Sequence, residues 1–351
     1  MTGKLLTLII PSYNMEKYLD RCLSSLVVDD EHMNMFEALI INDGSKDRTS
    51  EIGHKYEAKY PGSFRVIDKT NGHYGSCVNC GLSEAKGTFI KVLDADDSFA
   101  TEVFSSFLDF LMREEVKYDA DLVLSDYSTV DENGVVQCIH HFAEYTSPFS
   151  IEQITWQDRE SWFIHGLTYR TSLLKAIGYQ QTEGISYTDE EWIVKPLKAV
   201  HFCYRFHGSL YQYTVGREGQ SMAPDVYAKS LGMRLTVAQS ILSFYETIKQ
   251  EGSPFSVFVQ GRLTSVLNHI YHTTLLLETA NRQSLEALRI FDNELALSDT
   301  EIHSAIDRVV TIAGFRFRPI RVFREGKKGY LMAIRSLYSI TNQLNSFRRH
   351  K

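Results

Sequence analysis

The sequence is poor in cysteine and proline and has no long apolar segment. Its five cysteines, an odd number, are spread from Cys22 to Cys203. This spacing excludes the disulfide framework of a small secreted domain and favours a reducing compartment. The apolar stretch from Leu5 to Ile10 stops at Pro11, so it is too short for a signal peptide or a membrane-spanning helix. We therefore expect a cytoplasmic protein.

Negative charge is scarce at one end of the chain. The whole sequence carries a formal charge of −7, but residues 315–351 contain ten Lys and Arg residues and one Glu, a local charge of +9. The residues before position 315 therefore carry −7 minus 9, or −16. An acidic main part argues against nucleic acid as its partner, whereas the basic segment suggests an anionic surface. The composition, 43% hydrophobic and 23% charged, is otherwise that of a soluble globular protein.

The first hundred residues alternate short apolar runs with segments of helical periodicity. The apolar runs predict strands at 5–10, 36–43, 64–68 and 88–94, and the segments between them predict helices, the first of them capped by Asn14. Such alternation is typical of an α/β fold with a Rossmann-like, mainly parallel central sheet and helices on both faces. Ligands of these folds bind beyond the carboxyl ends of the strands.

After a further helix at 101–116 the pattern changes. A hairpin is predicted around the turn at 132–134, followed by a helix at 189–200 and by strands at 201–206 and 209–215. This part therefore mixes strands and helices without the regular alternation of the first hundred residues.

Beyond a boundary near residue 223 the chain has helical periodicity only. We predict a first domain at 1–223 and an all-helical C-terminal domain at 224–351. The last helix, near 327–347, has apolar residues on one stripe and basic residues beside it, which is typical of a helix that lies on a membrane surface. The alternative is a helix that packs on its own domain and leaves a solvated basic tail.

Three carboxylates, Asp94, Asp96 and Asp97, directly follow the fourth predicted strand. In an extended D-x-D the first and third side chains point to the same side, and oxygen ligands of this kind suit Mn²⁺ or Mg²⁺ shared with a diphosphate. A calcium-binding EF-hand loop is excluded, because its glycine and glutamate positions hold Phe99 and Ser105. The alternative for Asp97 is that it caps the next helix, which leaves Asp94 unexplained.

The first two strands also end in polar residues, PSYN at 11–14 and NDGSKDRT at 42–49. Asp43 lies at a strand terminus and precedes Gly44, which can take a positive φ, so the two can form a pocket for a polar ring or a phosphate. The alternative is that Asp43 and the polar residues after it form a turn and cap the following helix. This stretch alone does not decide between the two.

Together, the segments IIPSYN, INDGSKDRT, NGHYGSCVNCGLSEAKGTFI and VLDADD resemble, in order and spacing, the inverting family 2 glycosyltransferases. The resemblance covers roughly the first 225 residues. It implies a GT-A fold, a nucleotide-sugar donor with a UDP-sugar favoured, and a Mn²⁺ or Mg²⁺ ion held by Asp96 and Asp94. The donor-binding positions that it implies are Pro11, Tyr13, Asn14, Asp43, Gly44, Asn71, Gly72, Asp94, Ala95 and Arg217.

The family also has a catalytic carboxylate at the start of a later helix, followed by an aromatic residue. The matching stretch here is TDEEW, residues 188–192, so Asp189 takes the position of the base and Thr188 replaces the usual Glu. A carboxylate that accepts the proton of a sugar hydroxyl during attack contributes about 10²–10⁴-fold to the rate. Glu190 is the second candidate. Both acids would favour a helix N-terminus electrostatically in any case.

One position departs from the family pattern. Many relatives carry Ala-Arg-Asn where this chain has Cys-Val-Asn at 77–79, so an Arg near the phosphates is missing at Val78. His73 and Lys91 are candidates to replace its charge.

The cysteines and histidines show no spacing typical of a metal site. Cys77 and Cys80 form a C-x-x-C that we interpret as helix packing, since no second pair follows at zinc spacing. His165 has no ligand spacing either, and it is a weak candidate for the acceptor side of the site.

These features predict a metal-dependent inverting glycosyltransferase that moves a sugar from a nucleoside-diphosphate sugar to a hydroxyl of a glycan, polymer or lipid-linked acceptor in cell-surface polysaccharide synthesis. One alternative is a non-catalytic nucleotide-sugar-binding or scaffold protein, which the missing Arg leaves open. Another is a sugar nucleotidyltransferase, which would need a Gly-rich loop with Arg and Lys after the first strand. For 315–351 we predict peripheral binding to the anionic inner face of the cell membrane, and the helical C-terminal region offers a surface for oligomers.

Overall fold

The computed structural model describes residues 3–142, 144–155, 162–216, 229–276 and 281–349, with side chains described as far as residue 342. The chain forms two compact units. The first contains residues 1–218 and 252–258, and the second contains residues 219–251 and 259–351. The domain boundary predicted at residue 223 lies outside the described residues and stays a prediction.

The first unit alternates strands and helices in its N-terminal half and mixes them thereafter. Its strands are β1 (Leu6–Ser12), β2 (Phe36–Asn42), β3 (Phe64–Asp68), β4 (Phe89–Val92), β5 (Ser98–Phe99), β6 (Leu122–Val130), β7 (Val136–His140), β8 (Phe149–Ser150), β9 (Leu167–Arg170) and β10 (Phe202–Thr214). Its helices are α1 (Leu19–Ser24), α2 (Asp30–Met35), α3 (Thr49–Lys59), α4 (His73–Glu84), α5 (Thr101–Met112), α6 (Glu114–Asp119), α7 (Thr171–Ala176) and α8 (Asp189–Val194).

One sheet runs through the described part of this unit in the order β3-β2-β1-β4-β9-β6-β10-β5, with β7 beside β6 and β8 beside β10. The first four of these strands are parallel, as the alternation predicts. The later strands make the sheet mixed, because β9 runs antiparallel to both β4 and β6. The carboxyl ends of β1, β2 and β4 therefore meet at one edge, where the predicted polar clusters lie.

Two predicted elements have different bounds in the structure. The strands expected at 201–206 and 209–215 are one strand, β10, whose pairing with β6 shifts register between Phe206 and Tyr211. Gly208 lies at this shift, where a β-bulge lets the strand continue past an extra residue. The helix expected at 189–200 is α-helical only to Val194, and Lys195–Ala199 forms a 3₁₀ turn that contains Pro196.

Helices cover both faces of the parallel part of the sheet. On one face Leu6 and Leu8 of β1 belong to a buried core that also contains Leu19 of α1 and Phe104 of α5. On the other face Ile9 contacts α4 so closely that a Cβ added at Gly81 would lie 2.7 Å from its side chain. The alternation of side chains along β1 thus places successive residues in two separate apolar layers.

The described part of the second unit is helical, as predicted, with one short hairpin in addition. The helices that lie in it or extend into it are α9 (Leu231–Glu246), α10 (Pro254–Leu276), α11 (Arg282–Ser298), α12 (Thr300–Ala305), α13 (Pro319–Arg324) and α14 (Lys328–Arg349). The prediction of a region without strands is wrong at β11 (Val310–Ile312) and β12 (Phe315–Phe317), which pair antiparallel. Among the described helices, none combines the length and apolar character needed to cross a bilayer.

Candidate active site

The acidic residues that follow β4 form a tight turn at the carboxyl edge of the sheet. The Asp97 amide donates to the Asp94 carbonyl at 3.0 Å. Arg21 of α1 also binds this turn. The Nη2 atom of Arg21 donates to the Asp96 carbonyl at 2.5 Å and to Oγ1 of Thr214 at 2.8 Å. The guanidinium thus fixes the backbone of the turn through the Asp96 carbonyl.

The three carboxylates of this turn differ in exposure and in hydrogen bonding. Asp94 and Asp96 are part-exposed, and the Tyr74 hydroxyl donates to Oδ1 of Asp94 at 2.9 Å. Asp97 is buried and accepts from the Tyr211 hydroxyl at 2.7 Å and from the Thr214 amide at 2.8 Å. The alternative that Asp97 caps the next helix is wrong, because α5 has Ala100 at its N-cap and no side-chain cap.

Close packing of these acids makes their full ionisation costly. Burial, and then the charges of Asp96 and Asp94, raise the pKa of Asp97 well above its usual range. A cation beside the turn would offset this repulsion. The donor chemistry and the electrostatics of the turn therefore fit a divalent ion.

His165 lies next to the same acids, although sequence spacing gave no sign of it. One of its ring nitrogens lies within 4.8 Å of carboxylate oxygens of Asp94 and Asp97. The residue is 8% exposed, and its Nδ1 atom has no hydrogen-bond partner among the residues that the structure describes. Burial, and then the charge of Lys91, lower the pKa of the His165 imidazole to about 3. The contact depends on β9 pairing with β4, which no local pattern encodes.

Asp43, at the end of β2, organises the loop that leads into α4. Its carboxylate accepts from the amides of Gly72 and His73, both at 2.9 Å, and from Nζ of Lys69 at 2.7 Å. Gly44 has the expected positive φ, +74°, and the Asn71 side chain donates to the Asp43 carbonyl. Asp43 thus holds the turn at 69–73 in place and is not a helix cap.

The capping role belongs instead to Asp47. Its Oδ1 atom accepts from both the amide and the hydroxyl of Thr49, the first residue of α3. These bonds hold the pKa of the Asp47 carboxyl below its usual value, although desolvation acts against them as the largest single effect. The contact to the start of the following helix therefore comes from Asp47, and the pocket for a polar ring or a phosphate at Asp43 stays a prediction.

The residues after β1 present an aromatic ring beside these turns. Pro11 is buried within the strand, whereas Tyr13 is 44% exposed. The prediction that Asn14 caps the first helix is wrong, because α1 begins at Leu19 and Asn14 has a φ of +54°. Its side chain accepts from the Lys46 amide instead, which joins the PSYN and NDGSKDRT segments.

The first turn of α8 carries three consecutive acids with different environments. Asp189 and Glu190 are part-exposed, whereas Glu191 is fully buried. Glu191 accepts from the amide and hydroxyl of Thr182 and from Nζ of Lys195, all at 2.7–2.8 Å. It therefore anchors the loop before α8 and leaves the two preceding acids at the open side of the helix.

Thr188, which stands where the family has Glu, is also a loop anchor. It is buried, and its hydroxyl donates to the Gln181 side chain at 2.7 Å. Asn79 of α4 accepts from the Gln181 amide and donates to the Gln181 carbonyl. The loop between α7 and α8 is thus tied to α4, and Tyr187, directly before Thr188, takes a φ of +70°.

Tyr74 links the acidic turn to the start of α8. After burial, the charges of Asp94, Asp189 and Asp96 are the causes that raise the pKa of the Tyr74 phenol. The charges of the acidic turn and of Asp189 therefore act on one hydroxyl, although Asp189 is far from the turn in sequence. Tyr74 was not singled out from the sequence, since an aromatic residue at the start of an apolar helix gives no signal of such a role.

The residues proposed to replace the missing Arg have different positions. Lys91 is fully buried, and its Nζ atom donates to the carbonyls of His165 and Leu167; burial lowers the pKa of Lys91 to about 7. It therefore does not reach the exposed side of the turn, and the suggestion that it supplies the lost charge is wrong. Nδ1 of His73 lies 3.5 Å from the Ser186 hydroxyl, near α8.

The four remaining positions lie in the acidic turn, in α4 or outside the described residues. Ala95 is buried in the acidic turn, and Arg217 lies outside the described residues. Cys77 and Cys80 are free thiols within α4, and burial raises the pKa of both, which agrees with a packing role.

Known proteins resemble this chain in sequence and in fold. Residues 7–178 match the family described as Glycosyl transferase family 2. The uncharacterized glycosyltransferase MG025 homolog of Mycoplasma pneumoniae is 40% identical over 102 residues, which are 28% of this chain and 34% of the relative. The uncharacterized glycosyltransferase EpsJ of Bacillus subtilis is 28% identical over 191 residues, 53% of this chain and 54% of the relative.

A third relative is known in both sequence and structure. The poly(ribitol-phosphate) β-N-acetylglucosaminyltransferase TarS of Staphylococcus aureus is 28% identical over 220 residues, 62% of this chain and 36% of the relative. A crystal structure of TarS residues 1–349 with UDP-GlcNAc superposes with a TM-score of 0.65 at 21% identity, over 97% of this chain and 92% of that one. The chain spans between 34% and 54% of the length of the MG025 homolog, EpsJ and TarS.

The fold, the order of the motifs and the matched segment agree. The structural likeness confirms the expected GT-A fold. The domain at residues 7–178 therefore belongs to glycosyl transferase family 2.

Proposed function

We propose that this protein transfers a sugar from a nucleoside-diphosphate sugar to a hydroxyl group of a cell-surface polymer, with inversion at the anomeric carbon. The bond from the Tyr74 hydroxyl to Asp94 at 2.9 Å, together with the charges of Asp96 and Asp189 that act on the same phenol, carries the proposal. A pocket of this kind combines a binding site for a charged leaving group with a carboxylate that can accept a proton. Family membership supports the same reaction class.

The relatives support a particular donor and acceptor class. TarS is named a poly(ribitol-phosphate) β-N-acetylglucosaminyltransferase and has been crystallised with UDP-GlcNAc and with UDP. We therefore propose a UDP-sugar as donor and a hydroxyl-rich polymer, glycan or lipid-linked chain as acceptor. Such acceptors are assembled at the cell membrane, so we propose that the protein works in the cytoplasm at the inner membrane face.

The donor would lie across the carboxyl ends of β1, β2 and β4. Tyr13 offers an exposed ring on which a base can stack, and the loop held by Asp43 lies close by. Asp43 can accept a base N–H through Oδ2, which has capacity beyond its bond from the His73 amide, whereas Oδ1 already accepts from Gly72 and Lys69. Asn14, Gly44, Asn71, Ala95 and Arg217 complete the donor-binding positions of this proposal.

A divalent cation, Mn²⁺ or Mg²⁺, fits the acidic turn. The carboxylates of Asp94 and Asp96 would hold it, and the raised pKa of Asp97 and the unpartnered Nδ1 of His165 support a cation at this place. When bound, such an ion offsets the negative charge of a diphosphate.

Asp189 is the proposed catalytic base. It stands at the start of α8 on the open side of the helix, while Glu191 and Thr188 fix the loop behind it. Asp189 would accept the proton of the acceptor hydroxyl as that oxygen attacks the anomeric carbon and the bond to the diphosphate breaks. Glu190, the neighbouring part-exposed acid, is the second candidate.

Two variants and one control test the proposal. A thermal-shift screen of nucleotide sugars with Mn²⁺ identifies the donor, and release of nucleoside diphosphate with candidate acceptors then reports transfer. We expect Asp189→Asn to keep donor binding and lose at least about 10²-fold of transfer, and Asp96→Ala to lose metal-dependent donor binding. Glu183→Gln, an exposed residue in the same loop, should retain activity.

Two outcomes contradict parts of the proposal. Donor binding without release of nucleoside diphosphate, with every acceptor class tried, would favour the non-catalytic binding protein. Near-normal transfer by Asp189→Asn would move the base to Glu190 or another residue.

We further propose that residues 315–351 bind an anionic membrane surface and that the helical C-terminal region is a surface for self-association. The exposed apolar side chains of this segment support the membrane proposal: Phe315 is 65% exposed and Met332 is 66% exposed. Light scattering of the full chain tests the second point, and a monomer at all concentrations would contradict it.

A further inference from the structure

Behind the exposed face of the acidic turn lies a second set of potential metal ligands. It consists of Asp94, Asp97 and His165, of which the last two are buried. One ligand atom from each lies within 4.8 Å of the other two. Because ligand atoms around a divalent ion stand roughly 3–4 Å apart when each is about 2.0–2.3 Å from the metal, only a small adjustment would bring these three onto one ion.

The His165 side chain is the observation that separates this set from an ordinary acidic cluster. Its Nδ1 atom is buried without a hydrogen-bond partner in the described part of the chain. A buried polar atom that lacks a partner costs roughly 1–3 kcal/mol, so an imidazole that carries such an atom and lies beside two carboxylates needs an explanation. A metal ion supplies one, since imidazole nitrogen is a common ligand of transition metals.

The surrounding residues hold the imidazole in a defined orientation. The ring stacks on Tyr213, with 4.7 Å between centroids, and lies 4.6 Å from the Tyr211 ring. The Lys91 amine binds the His165 carbonyl at 2.6 Å, which fixes the backbone of the turn that presents the ring. Tyr211 also donates to Asp97, so one residue orients two of the three ligands.

We propose that His165 and Asp97 are ligands, with Asp94, of the divalent cation at the acidic turn. This inference rests on the proposed function, which places a cation there, and it adds a nitrogen ligand and a buried carboxylate to the site. A nitrogen ligand favours Mn²⁺ over Mg²⁺, because Mg²⁺ prefers an all-oxygen shell. The full chain should therefore bind Mn²⁺ more tightly than Mg²⁺.

The test measures the ligands of bound Mn²⁺ directly. Mn²⁺ is added to the full chain without an affinity tag, alone and with UDP, and electron spin echo envelope modulation detects coupling to ¹⁴N of a ligated imidazole. We expect this coupling in the wild type and its loss in His165→Gln. We also expect Mn²⁺ affinity to fall in His165→Gln and Asp97→Asn by at least the roughly 10-fold that loss of an outer-shell partner costs.

His140→Gln is the matched control. His140 stacks on Tyr127 at 4.5 Å in the same aromatic group and donates to or accepts from the Thr129 hydroxyl, but it is not one of the three ligands. This variant should keep both the ¹⁴N coupling and the Mn²⁺ affinity. Circular dichroism of every variant checks folding. The electron spin echo measurement on the wild type by itself shows whether a nitrogen atom is a ligand of Mn²⁺.

The outcomes separate this inference from the proposed function. If the wild type binds Mn²⁺ without ¹⁴N coupling, and Asp96→Ala abolishes binding, the ion lies at Asp94 and Asp96 alone and the inference is wrong while the proposed function stands. If the wild type binds no Mn²⁺, with or without UDP, both the inference and the metal dependence in the proposed function are wrong.

Discussion

Lys91 is a fully buried amine in the strand that leads to the acidic turn. Its pKa falls from the usual 10.5 to about 7 because burial disfavours the charged form. The unfolded chain therefore binds more protons than the folded chain between pH 7 and pH 10.5, so this residue makes the protein more stable as the pH rises through that range. The effect is on the order of a few kcal/mol.

We predict that Lys91→Met changes stability in a pH-dependent manner. Relative to the wild type, the variant should be most stable near pH 6.5, where the buried charge costs most, and this advantage should shrink or reverse by pH 9.5. Urea unfolding followed by tryptophan fluorescence measures it, since all three tryptophans, at 156, 162 and 192, belong to the first unit. A stability difference independent of pH would contradict the prediction.

Tyr74 gives a second prediction at this scale. Tyr74→Phe removes the hydroxyl that donates to Asp94 at 2.9 Å and keeps the ring. Because a hydrogen bond to a charged group contributes about 1.5–3 kcal/mol, we expect Mn²⁺ affinity to fall by roughly 10-fold or more. Tyr118→Phe, at a residue that is 70% exposed, should leave it unchanged. Equal Mn²⁺ affinity in Tyr74→Phe and wild type would show that the bond does not orient Asp94.

The candidate site divides into residues that local sequence reveals and residues that it does not. The acidic turn and Asp43 follow apolar strands directly, so strand periodicity and their polarity identified them. Tyr74, His165 and Arg21 reach the turn from other elements, and their partners are set by helix docking and by the antiparallel addition of β9. Periodicity describes which face a residue occupies and not which distant residue meets it, so these three could not be predicted from spacing.

At the scale of elements, the loop between α7 and α8 determines where Asp189 stands. Asn79 of α4 holds the loop through the backbone of Gln181, and Glu191 of α8 holds it through Thr182. Gly75 lets α4 approach closely, since a Cβ there would overlap the Thr182 carbonyl. The position of the proposed base therefore depends on the contact between two helices and a loop.

We predict that Gly75→Ala displaces this loop. Overpacking of this kind typically costs about 1–3 kcal/mol, so the urea midpoint should fall and transfer should fall with it, while donor binding at the Asp43 loop should change less. Gly3→Ala is the matched control in the same unit, because nothing lies within 4 Å of a Cβ added there. Full activity and an unchanged midpoint in Gly75→Ala would mean that the loop does not restrain Asp189.

Element boundaries that departed from expectation have identifiable causes. The two strands expected on either side of Gly208 form one strand, because β10 continues through a bulge there. The sequence pattern of apolar and polar residues is the same whether two such strands are separate or joined. The hairpin of β11 and β12 is only three residues per strand, which is too short for a period of two to be distinguished from a loop. The long alternating segments, by contrast, were identified correctly.

At the scale of the whole chain, the positive charge of residues 315–351 is partly used within the fold. Arg318 pairs with Asp307, Arg321 with Glu325, and Arg324 with Asp292. The last pair is shielded from solvent, and it holds the pKa of the Asp292 carboxyl below its usual value, although desolvation is the largest effect and acts in the opposite direction. The outward surface of this segment has a group of exposed apolar side chains and the exposed Lys327 and Lys328, of which Lys327 also pairs with Glu325 at 2.6 Å.

We predict that this surface binds anionic lipid. The full chain should co-sediment with vesicles that contain phosphatidylglycerol and not with pure phosphatidylcholine, and binding should weaken with salt. Because a basic residue near such a surface contributes about 1 kcal/mol, Lys327→Glu with Lys328→Glu should reduce binding by roughly 10-fold or more.

The matched control is Lys55→Glu with Lys59→Glu, which makes the same change in net charge at exposed residues of α3. If both double variants lose binding equally, net charge alone governs attraction to the vesicles and the C-terminal segment has no special role. If neither loses it, the apolar side chains or residues outside 315–351 carry the interaction. Only a loss confined to the Lys327 and Lys328 variant supports a membrane-facing C-terminal segment.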